Sequence, residues 1–181
     1  MQFKPIIAII VLSLVVASLL ISGCTTSTTN QTPSPTATPT TTPSTIIQIV
    51  SSEGSLSSFA EFLHRANLTG VLDEPGNFTV FAPDNAAFTN VHVSTLVDWE
   101  SNTTALRTVL LYHIVPKTLP SNVFTGSGTL TTLLGPAVPL PYSVTGVTLK
   151  VGDATVTKAD INATNGVIYK IDTVQIPPSK A

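Results

Sequence analysis

The stretch that decides the fold is Asn77-Phe78-Thr79-Val80-Phe81-Ala82-Pro83-Asp84-Asn85-Ala86-Ala87-Phe88. Its first half alternates between two sets of side chains, which is the period-two pattern of a strand with a buried face. We expect this strand to end at Pro83, because proline has no N–H to give to a sheet. Asp84 is placed to cap a following helix by accepting from the free N–H groups of Ala86 and Ala87, with Phe88 one turn on. The stretch therefore predicts a buried strand that breaks into a short capped helix.

Composition sets the outer limits on the protein. The chain has 181 residues, a formal net charge of -2, 10% charged residues and a single cysteine. So weak a charge offers no basic field for nucleic acid. One cysteine allows neither a disulfide within the chain nor a cysteine-based metal site. We expect one folded domain of ordinary size once a leader and a stalk are set aside.

Residues Met1–Gly23 have the pattern of an export signal, with Lys4 followed by a long apolar run. The run is close to the length that spans a bilayer, so an uncleaved membrane anchor is the alternative. Leu20-Ile21-Ser22-Gly23-Cys24 resembles the lipobox of bacterial lipoprotein signal peptides, in which the cysteine is lipidated and becomes the new N-terminus. The other interpretation is a cysteine that merely ends a hydrophobic helix. Either kind of anchor predicts a domain on the extracellular face of the cell membrane.

Residues 24–44 are almost wholly threonine, serine and proline. Such a segment has too few apolar groups to offset the entropy lost on ordering, and its prolines favour the extended polyproline II conformation. We therefore interpret it as a disordered stalk that separates the anchor from the domain at 45–178.

Within that domain, the first half has helical patterns and the second half strand patterns. Helices are predicted over Leu56–Ala66, at Val93–Val97 with Trp99 as a packing anchor, and from Asn102 to His113. Thr45–Val50 is β-branched and indicates a first strand or an extended lead-in.

The strand patterns of the second half meet at turns. A hairpin turn at Gly152-Asp153 joins Val147–Val151 to Ala154–Ala159, and a last strand covers Gly166–Val174. Gly126–Gly128 is predicted as a loop and Gly135–Pro141 as a proline-rich connection. Helices followed by strands predict an α+β fold.

Three blocks make a specific resemblance. Phe78–Phe88 is similar to the first signature of fasciclin domains, Leu111–Pro116 to their Tyr-His motif, and Asn165–Val174 to their second signature, in the family's order and spacing. The resemblance implies a wedge of β-sheets flanked by several short helices. It also implies a surface-anchored or extracellular protein linked to adhesion or matrix contact. The residues that carry the two signatures are Phe81, Pro83, Asp84, Asn85, Phe88, Gly166, Ile171 and Asp172.

Two positions depart from the family pattern. Tyr169 stands where the second signature often has a histidine, so any contact of that side chain differs. Asn122-Val123 stands where animal adhesion members have an aspartate followed by an aliphatic residue, as part of their integrin-binding sequences. The missing carboxylate argues against an integrin-type contact.

The resemblance makes Tyr112, His113 and Tyr169 the candidate binding residues. They would form part of an adhesive surface. The alternative for His113 is structural: a half-buried histidine on the core face of a helix usually bonds a backbone carbonyl or a carboxylate.

Catalytic and metal sites have little support in the sequence. The three histidines are scattered, and Asp160–Gly166 has its glycine one position too late for a calcium loop and Ile171 where the last ligand belongs. Ser127 lacks the Gly-x-Ser-x-Gly spacing of a nucleophile elbow. We expect no enzyme, no cofactor and no metal. Of five Asn-x-Ser/Thr sequons, Asn67, Asn102 and Asn162 are the candidate glycosylation sites.

The sequence thus predicts a surface-tethered adhesion or matrix-binding module that acts by binding, not catalysis. Its expected partner is an extracellular protein or polysaccharide, with the membrane held through the N-terminal anchor and no nucleic acid. The first alternative is an envelope-associated binding protein for a small apolar or sugar ligand. The second alternative is a structural spacer with no specific partner.

Overall fold

The computed structural model describes residues 44–178. The predicted signal or anchor at Met1–Gly23, the lipidation site Cys24 and all but the last residue of the 24–44 stalk lie outside the described residues. Within residues 44–178, no helix is both long and apolar enough to span a bilayer.

Six short helices and seven strands make up the described domain. The helices are α1 Ile46–Ser52, α2 Ser57–Arg65, α3 Thr69–Asp73, α4 Asn85–Thr89, α5 Val93–Ser101 and α6 Thr103–Tyr112, with 3-10 turns at Gly54–Leu56 and Ser121–Val123. The strands are β1 Phe78–Pro83, β2 Ile114–Val115, β3 Ser127–Thr132, β4 Gly135–Thr145, β5 Thr148–Val151, β6 Ala154–Ala163 and β7 Gly166–Ile171. The predicted α+β class is confirmed.

The seven strands form one mixed sheet in the order β2-β1-β7-β6-β5-β4-β3. Every neighbouring pair is antiparallel except β1 and β7, which run parallel from Phe78 beside Gly166 to Pro83 beside Ile171. The two edges of the sheet meet where the Leu133 N–H donates to the Ile114 carbonyl at 2.7 Å. The sheet therefore curls into a nearly closed wedge, with the helices on one side of it.

Two apolar cores stabilise the wedge. The larger lies between the helices and one face of β1 and β7, and the sole tryptophan, Trp99, is 5% exposed within it. The smaller lies inside the curled sheet around Phe81 and Tyr169, whose ring centroids are 5.5 Å apart. Because the side chains of β1 alternate, one strand contributes to both cores.

The prediction of a strand or extended lead-in at Thr45–Val50 is wrong, because this stretch begins helix α1. Thr45 starts the helix, where its N–H donates to Gln48 Oε1 at 3.1 Å. Ile46 and Val50, one turn apart, are fully buried. Tertiary burial of one helical face thus overrides the β-propensity of the isoleucines and the valine.

The predicted loop at Gly126–Gly128 and connection at Gly135–Pro141 are also wrong in part. β3 begins at Ser127, and β4 runs from Gly135 to Thr145 despite three prolines. The Val144 N–H donates to the Gly126 carbonyl at 2.6 Å, which marks that pair as hydrogen-bonded. Hydrogen-bonded and non-hydrogen-bonded pairs alternate along an antiparallel ladder. The pair of Pro141 with Thr129, three residues from the bonded Gly126–Val144 pair, is therefore non-hydrogen-bonded, and β3 needs no N–H from Pro141.

Three element ends differ from the sequence prediction. α5 continues from Val97 to Ser101, and β6 continues from Ala159 to Ala163 through two register shifts against β7. β7 ends at Ile171 and not at Val174. Asp160 has a φ of 54° at the irregularity in β6, which allows the strand to continue past a point where regular pairing fails.

Candidate functional site

The three motif blocks are neighbours in space. β1 carries the first signature, and it lies between β7 of the second signature and β2, which follows the Tyr-His motif. The Phe81 N–H donates to the His113 carbonyl at 2.9 Å, and the Asp84 N–H donates to the Ile171 carbonyl at 3.1 Å. Residues that are far apart in sequence therefore share one structural unit at the centre of the sheet.

The corner after β1 is held by side chains of the first signature. Asp84 accepts from the Ala87 N–H at 2.8 Å and caps α4 as predicted, although Ala86 makes no such bond to it. Asn85 bonds in both directions to the start of α2: its Oδ1 accepts from the Ser58 N–H at 3.1 Å and its Nδ2 donates to the Gly54 carbonyl at 2.9 Å. The corner thus fixes α2 and α4 relative to the sheet.

Residues of the second signature hold β7 against its two neighbouring strands, β1 and β6. A side chain at Gly166 would collide with the Phe78 carbonyl, so only glycine allows β1 and β7 to approach this closely. Asp172 accepts from the Thr155 N–H at 2.8 Å and so holds the start of β6 beside the end of β7. Ile171 is fully buried.

His113 is fully buried at the end of α6. Its Nδ1 lies 2.8 Å from the Val109 carbonyl, and its Nε2 accepts from the Gln175 N–H at 3.0 Å. A carbonyl and an N–H on opposite sides require the neutral tautomer with its proton on Nδ1. Burial lowers the pKa of His113 to about 4, although the bond to Val109 favours the charged form.

Tyr112 and Tyr169 are buried in the inner core with their hydroxyls on backbone carbonyls. Tyr112 donates to the Pro139 carbonyl at 3.1 Å. Tyr169 Oη lies 2.7 Å from the Leu119 carbonyl and 3.0 Å from Asp160 Oδ1, so one proton is shared between two acceptors. Burial raises the pKa of both phenols, and the Asp160 carboxylate adds to the increase at Tyr169.

The candidate binding residues Tyr112, His113 and Tyr169 are at most 4% exposed, so none of them forms part of the surface. Each makes a hydrogen bond that holds a helix end, a strand or the 119–121 turn in place. A role for these three residues in binding remains a prediction. In the structure their hydrogen bonds hold neighbouring elements in place. His113 follows the structural alternative.

Asn165 is the residue of this region that sequence reasoning did not single out. It is 3% exposed, its Oδ1 accepts from the Ile46 N–H at 2.9 Å, and its Nδ2 donates to the Leu72 and Glu74 carbonyls at 2.7 and 3.0 Å. One amide thus joins the turn before β7 to α1 and to the end of α3. Its place beside Gly166 in the second signature was the available signal.

One open concavity is a groove of about 370 Å³. We call it the apolar groove because six of its eight lining residues have apolar side chains, although polar atoms make up the larger part of its exposed lining. It is lined by Ser121, Phe124, Val144, Val147, Leu149, Val156, Thr157 and Ala159, of which Val144, Leu149 and Val156 also pack against the smaller core. Val147, at the β4–β5 turn, is fully exposed at its rim. Phe124 forms part of its wall and packs on Tyr169, with ring centroids 5.7 Å apart. The groove can therefore contact an apolar partner while the motif residues support it from below.

The remaining sequence candidates are dispersed or already engaged. Among residues 44–178 no three histidine, cysteine or acidic side chains cluster as metal ligands. Asp160, the first residue of the calcium-like stretch, accepts from the Ser121 N–H at 2.9 Å. Burial raises its pKa, but this bond and the one from Tyr169 outweigh burial and hold the pKa below its usual value.

The three candidate glycosylation asparagines, Asn67, Asn102 and Asn162, are exposed. Asn102 also caps α6, because its Oδ1 accepts from the Thr104 and Ala105 N–H groups at 3.1 Å.

A family model for the Fasciclin domain matches residues 54–177. The chain belongs to the fasciclin family. The resemblance inferred from the three motif blocks is therefore confirmed, and the wedge described above is the fasciclin fold.

Relatives of this fasciclin domain occur in bacteria and animals. The chain is 39% identical over 116 residues to Immunogenic protein MPB70 of Mycobacterium bovis, covering 64% of this chain and 57% of the relative. It is 35% identical over 136 residues to Protein sll1483 of Synechocystis sp., covering 74% of each chain. It is 31% identical over 135 residues to human Periostin, covering 75% of this chain and 16% of the relative.

A solved structure agrees with the fold. A FAS1 domain pair from the insect cell adhesion molecule Fasciclin I superposes with a TM-score of 0.56 at 23% identity, covering 70% of this chain and 47% of that one. At this identity the likeness supports the fold alone. The chain spans about half the length of that pair and of MPB70.

Proposed function

We propose that this fasciclin domain is a cell-surface module that mediates adhesion or contact with extracellular matrix or envelope material through binding, not catalysis. The observation that carries the proposal is how the motif residues are used. Tyr112 and His113 of the Tyr-His motif and Tyr169 of the second signature are buried and bonded to the protein itself. A partner would therefore contact other side chains, those that remain exposed.

The apolar groove is the part of that surface best suited to a partner. The large apolar side chains Val123 and Val147 are exposed beside it, 47% and fully, respectively. Exposed apolar side chains that border a concavity mark contact sites, because covering them removes apolar area from water. We assign the contact to an extracellular protein or polysaccharide. The anchor at Cys24 or Met1–Gly23 would hold the module at the membrane.

The test is surface attachment or aggregation by cells that lack the gene and are complemented with variants. The wild-type chain restores attachment, and Val147→Asp does not, because it places a charge at the rim of the groove. Val93→Asp is the matched control, since Val93 is 73% exposed on α5 and does not line the groove. Unchanged attachment in the deletion strain would refute adhesion, and equal effects of the two variants would refute the groove as the contact.

A second candidate, a binding site for a small apolar ligand, is favoured by the size of the same groove. About 370 Å³ is within the range of small-molecule sites, roughly 300–1,000 Å³. Its lining is mainly aliphatic, with hydroxyls only from Ser121 and Thr157. Under this hypothesis the ligand would lie between Phe124 and Leu149.

Fluorescence of the dye 1-anilinonaphthalene-8-sulfonate tests this candidate. Leu149→Trp fills the groove and abolishes dye binding, whereas Val93→Trp adds the same ring to α5 and leaves dye binding unchanged. A wild-type protein that does not bind the dye, or equal binding by the two variants, would refute the small-ligand hypothesis.

A further inference from the structure

A second concavity lies at the seam where the two edges of the sheet meet. It has a volume of about 330 Å³ and is lined by Val115, Pro116, Lys117 and Leu119 on one wall and by Thr129, Leu130 and Thr131 of β3 on the other. It shares no lining residue with the apolar groove. The walls are joined by the bond from the Leu133 N–H to the Ile114 carbonyl, beyond which the seam is open.

The β3 wall offers backbone groups that the described domain does not use. β3 is the last strand in the sheet order, and it bonds β4 on one side only. Since Gly126 and Val144 form a hydrogen-bonded pair, the alternation of the ladder turns the N–H and C=O groups of Ser127 and Thr129 away from β4. Both residues are exposed.

The facing wall does not supply partners for them. The Lys117 N–H donates to the Val115 carbonyl at 2.8 Å, and the Lys117 carbonyl accepts from Thr79 Oγ1 at 2.7 Å. The Leu119 N–H donates back to the same Thr79 hydroxyl at 2.9 Å. The Lys117 backbone and the Leu119 N–H are therefore already bonded to this wall and to β1. Apolar side chains and the exposed Lys117 line this side of the seam.

We propose that this seam binds an extended peptide segment of a partner protein, which pairs with the free edge of β3. Alternating N–H and C=O groups at strand spacing are matched by another extended backbone, the mode of β-strand addition. The buried Leu119 and Leu130 form an apolar floor for one branched side chain of the peptide, and Lys117 at the rim favours a carboxylate beside it. The site goes beyond the proposed use of the apolar groove, because the seam would recognise the partner through hydrogen bonds to its peptide backbone.

Residue-resolved amide hydrogen exchange on the mature protein, as the cell processes it, tests the free edge first. In the free protein the amides of Gly128 and Leu130 are protected by β4, whereas that of Thr129 exchanges rapidly. A protected Thr129 amide in the free protein would show that the edge is already covered, and would overturn the proposal.

Linear heptapeptides selected from a phage-displayed library on the same protein are the probe for binding. A selected peptide protects the Thr129 amide, and methylating alternate backbone nitrogens of the peptide abolishes binding only in the register that faces β3. Thr129→Pro removes the outward N–H without removing a hydrogen bond to β4, and weakens the peptide about tenfold through the loss of one buried hydrogen bond. Thr129→Val keeps that N–H and the branched shape, and leaves binding unchanged.

Three outcomes would overturn the site. They are a library that yields no binder, binders that leave Thr129 unprotected, and Thr129 protection that grows with protein concentration without peptide, which would make a second copy the occupant. Should Thr129→Pro fold poorly, judged by thermal melting, the peptide methylation series decides. Cell attachment is measured separately. If attachment persists in a variant that no longer binds the peptide, only the peptide-binding inference is refuted. If the protein binds the peptide but supports no attachment, only the adhesion proposal is refuted.

Discussion

Lowering the pH should destabilise the domain through one buried imidazole. His113 is fully buried and neutral, and its two ring nitrogens are engaged by the Val109 carbonyl and the Gln175 N–H. A second ring proton would face the Gln175 N–H, and the charge would have no acidic partner among the residues that touch it. Protonation of His113 in the folded domain is therefore unfavourable, and the pKa of the buried imidazole falls to about 4.

The magnitude follows from the two pKa values. The imidazole titrates at 6.5 in a solvated chain and at about 4 in the fold. Above pH 6.5 both states are neutral and His113 contributes no pH dependence. Between pH 6.5 and 4 the unfolded chain binds a proton at His113 and the folded domain does not. The free energy of unfolding therefore falls by about 1.4 kcal/mol per pH unit, or about 3 kcal/mol in all. Below pH 4 this loss levels off.

Urea unfolding followed by the fluorescence of Trp99 measures the effect at pH 7.5 and 4.5. His113→Gln is the control, because glutamine does not titrate and its side-chain oxygen can accept from the Gln175 N–H. Other titrating groups, Glu53 and Asp160 included, change equally in both proteins. We expect the wild type to lose about 2 to 3 kcal/mol more than the variant. An equal loss, or a folded-state His113 that titrates near 6.5 by NMR, would refute the reasoning.

Three substitutions test the packing around the motif blocks. Asn165→Ala removes three buried hydrogen bonds and should cost about 2 to 4 kcal/mol of unfolding free energy. Gly166→Ala places a methyl group against the Phe78 carbonyl and should cost about 2 kcal/mol or more. Tyr169→Phe keeps the ring but leaves the Leu119 carbonyl without its donor, for a loss of about 1 kcal/mol. Urea midpoints at pH 7.5 measure all three.

Matched substitutions make those results interpretable. Asn162→Ala, three residues before Asn165 and exposed, should change stability by less than about 0.5 kcal/mol. Gly54→Ala is the control for Gly166→Ala, because a methyl group at Gly54 meets nothing within 4 Å. A Gly166 variant as stable as the Gly54 variant would contradict the close approach of β1 and β7. Stability unchanged in the Asn165 or the Tyr169 variant would contradict the assigned hydrogen bonds.

Local patterns in the sequence predict the strand β1, the cap at Asp84 and the α6 helix because each depends on residues close together along the chain. The start of the domain shows the limit of such patterns. Ile46 and Val50 bury as one helical face. Their spacing and the capping box of Thr45 with Gln48 are local signals for this helix, but the β-propensity of the isoleucines and the valine led to the opposite prediction. β4 shows the same limit: Pro141 is acceptable because of the hydrogen-bond register that β4 shares with β3, and register is a property of the pair.

The sequence identified the residues of the candidate site but not their burial. The motif comparison picks out Tyr112, His113 and Tyr169, and the structure brings all three to the interior. Exposure depends on how the sheet curls, which the sequence of one strand does not encode. The apolar groove was missed because its walls come from β4, β5, β6, the β4–β5 turn and the 121–124 segment, each of which contributes only one to three ordinary side chains.

The parallel pairing of β1 with β7 has a consequence for how the protein is made. β7 is an inner strand, flanked by β1 and β6, yet among the described strands it is the last to be synthesised. Until it arrives, the early strands have an unfilled place beside them and the Phe78 N–H lacks the Asn165 carbonyl it bonds in the fold. The domain must therefore stay open until nearly all of its described strands have been synthesised.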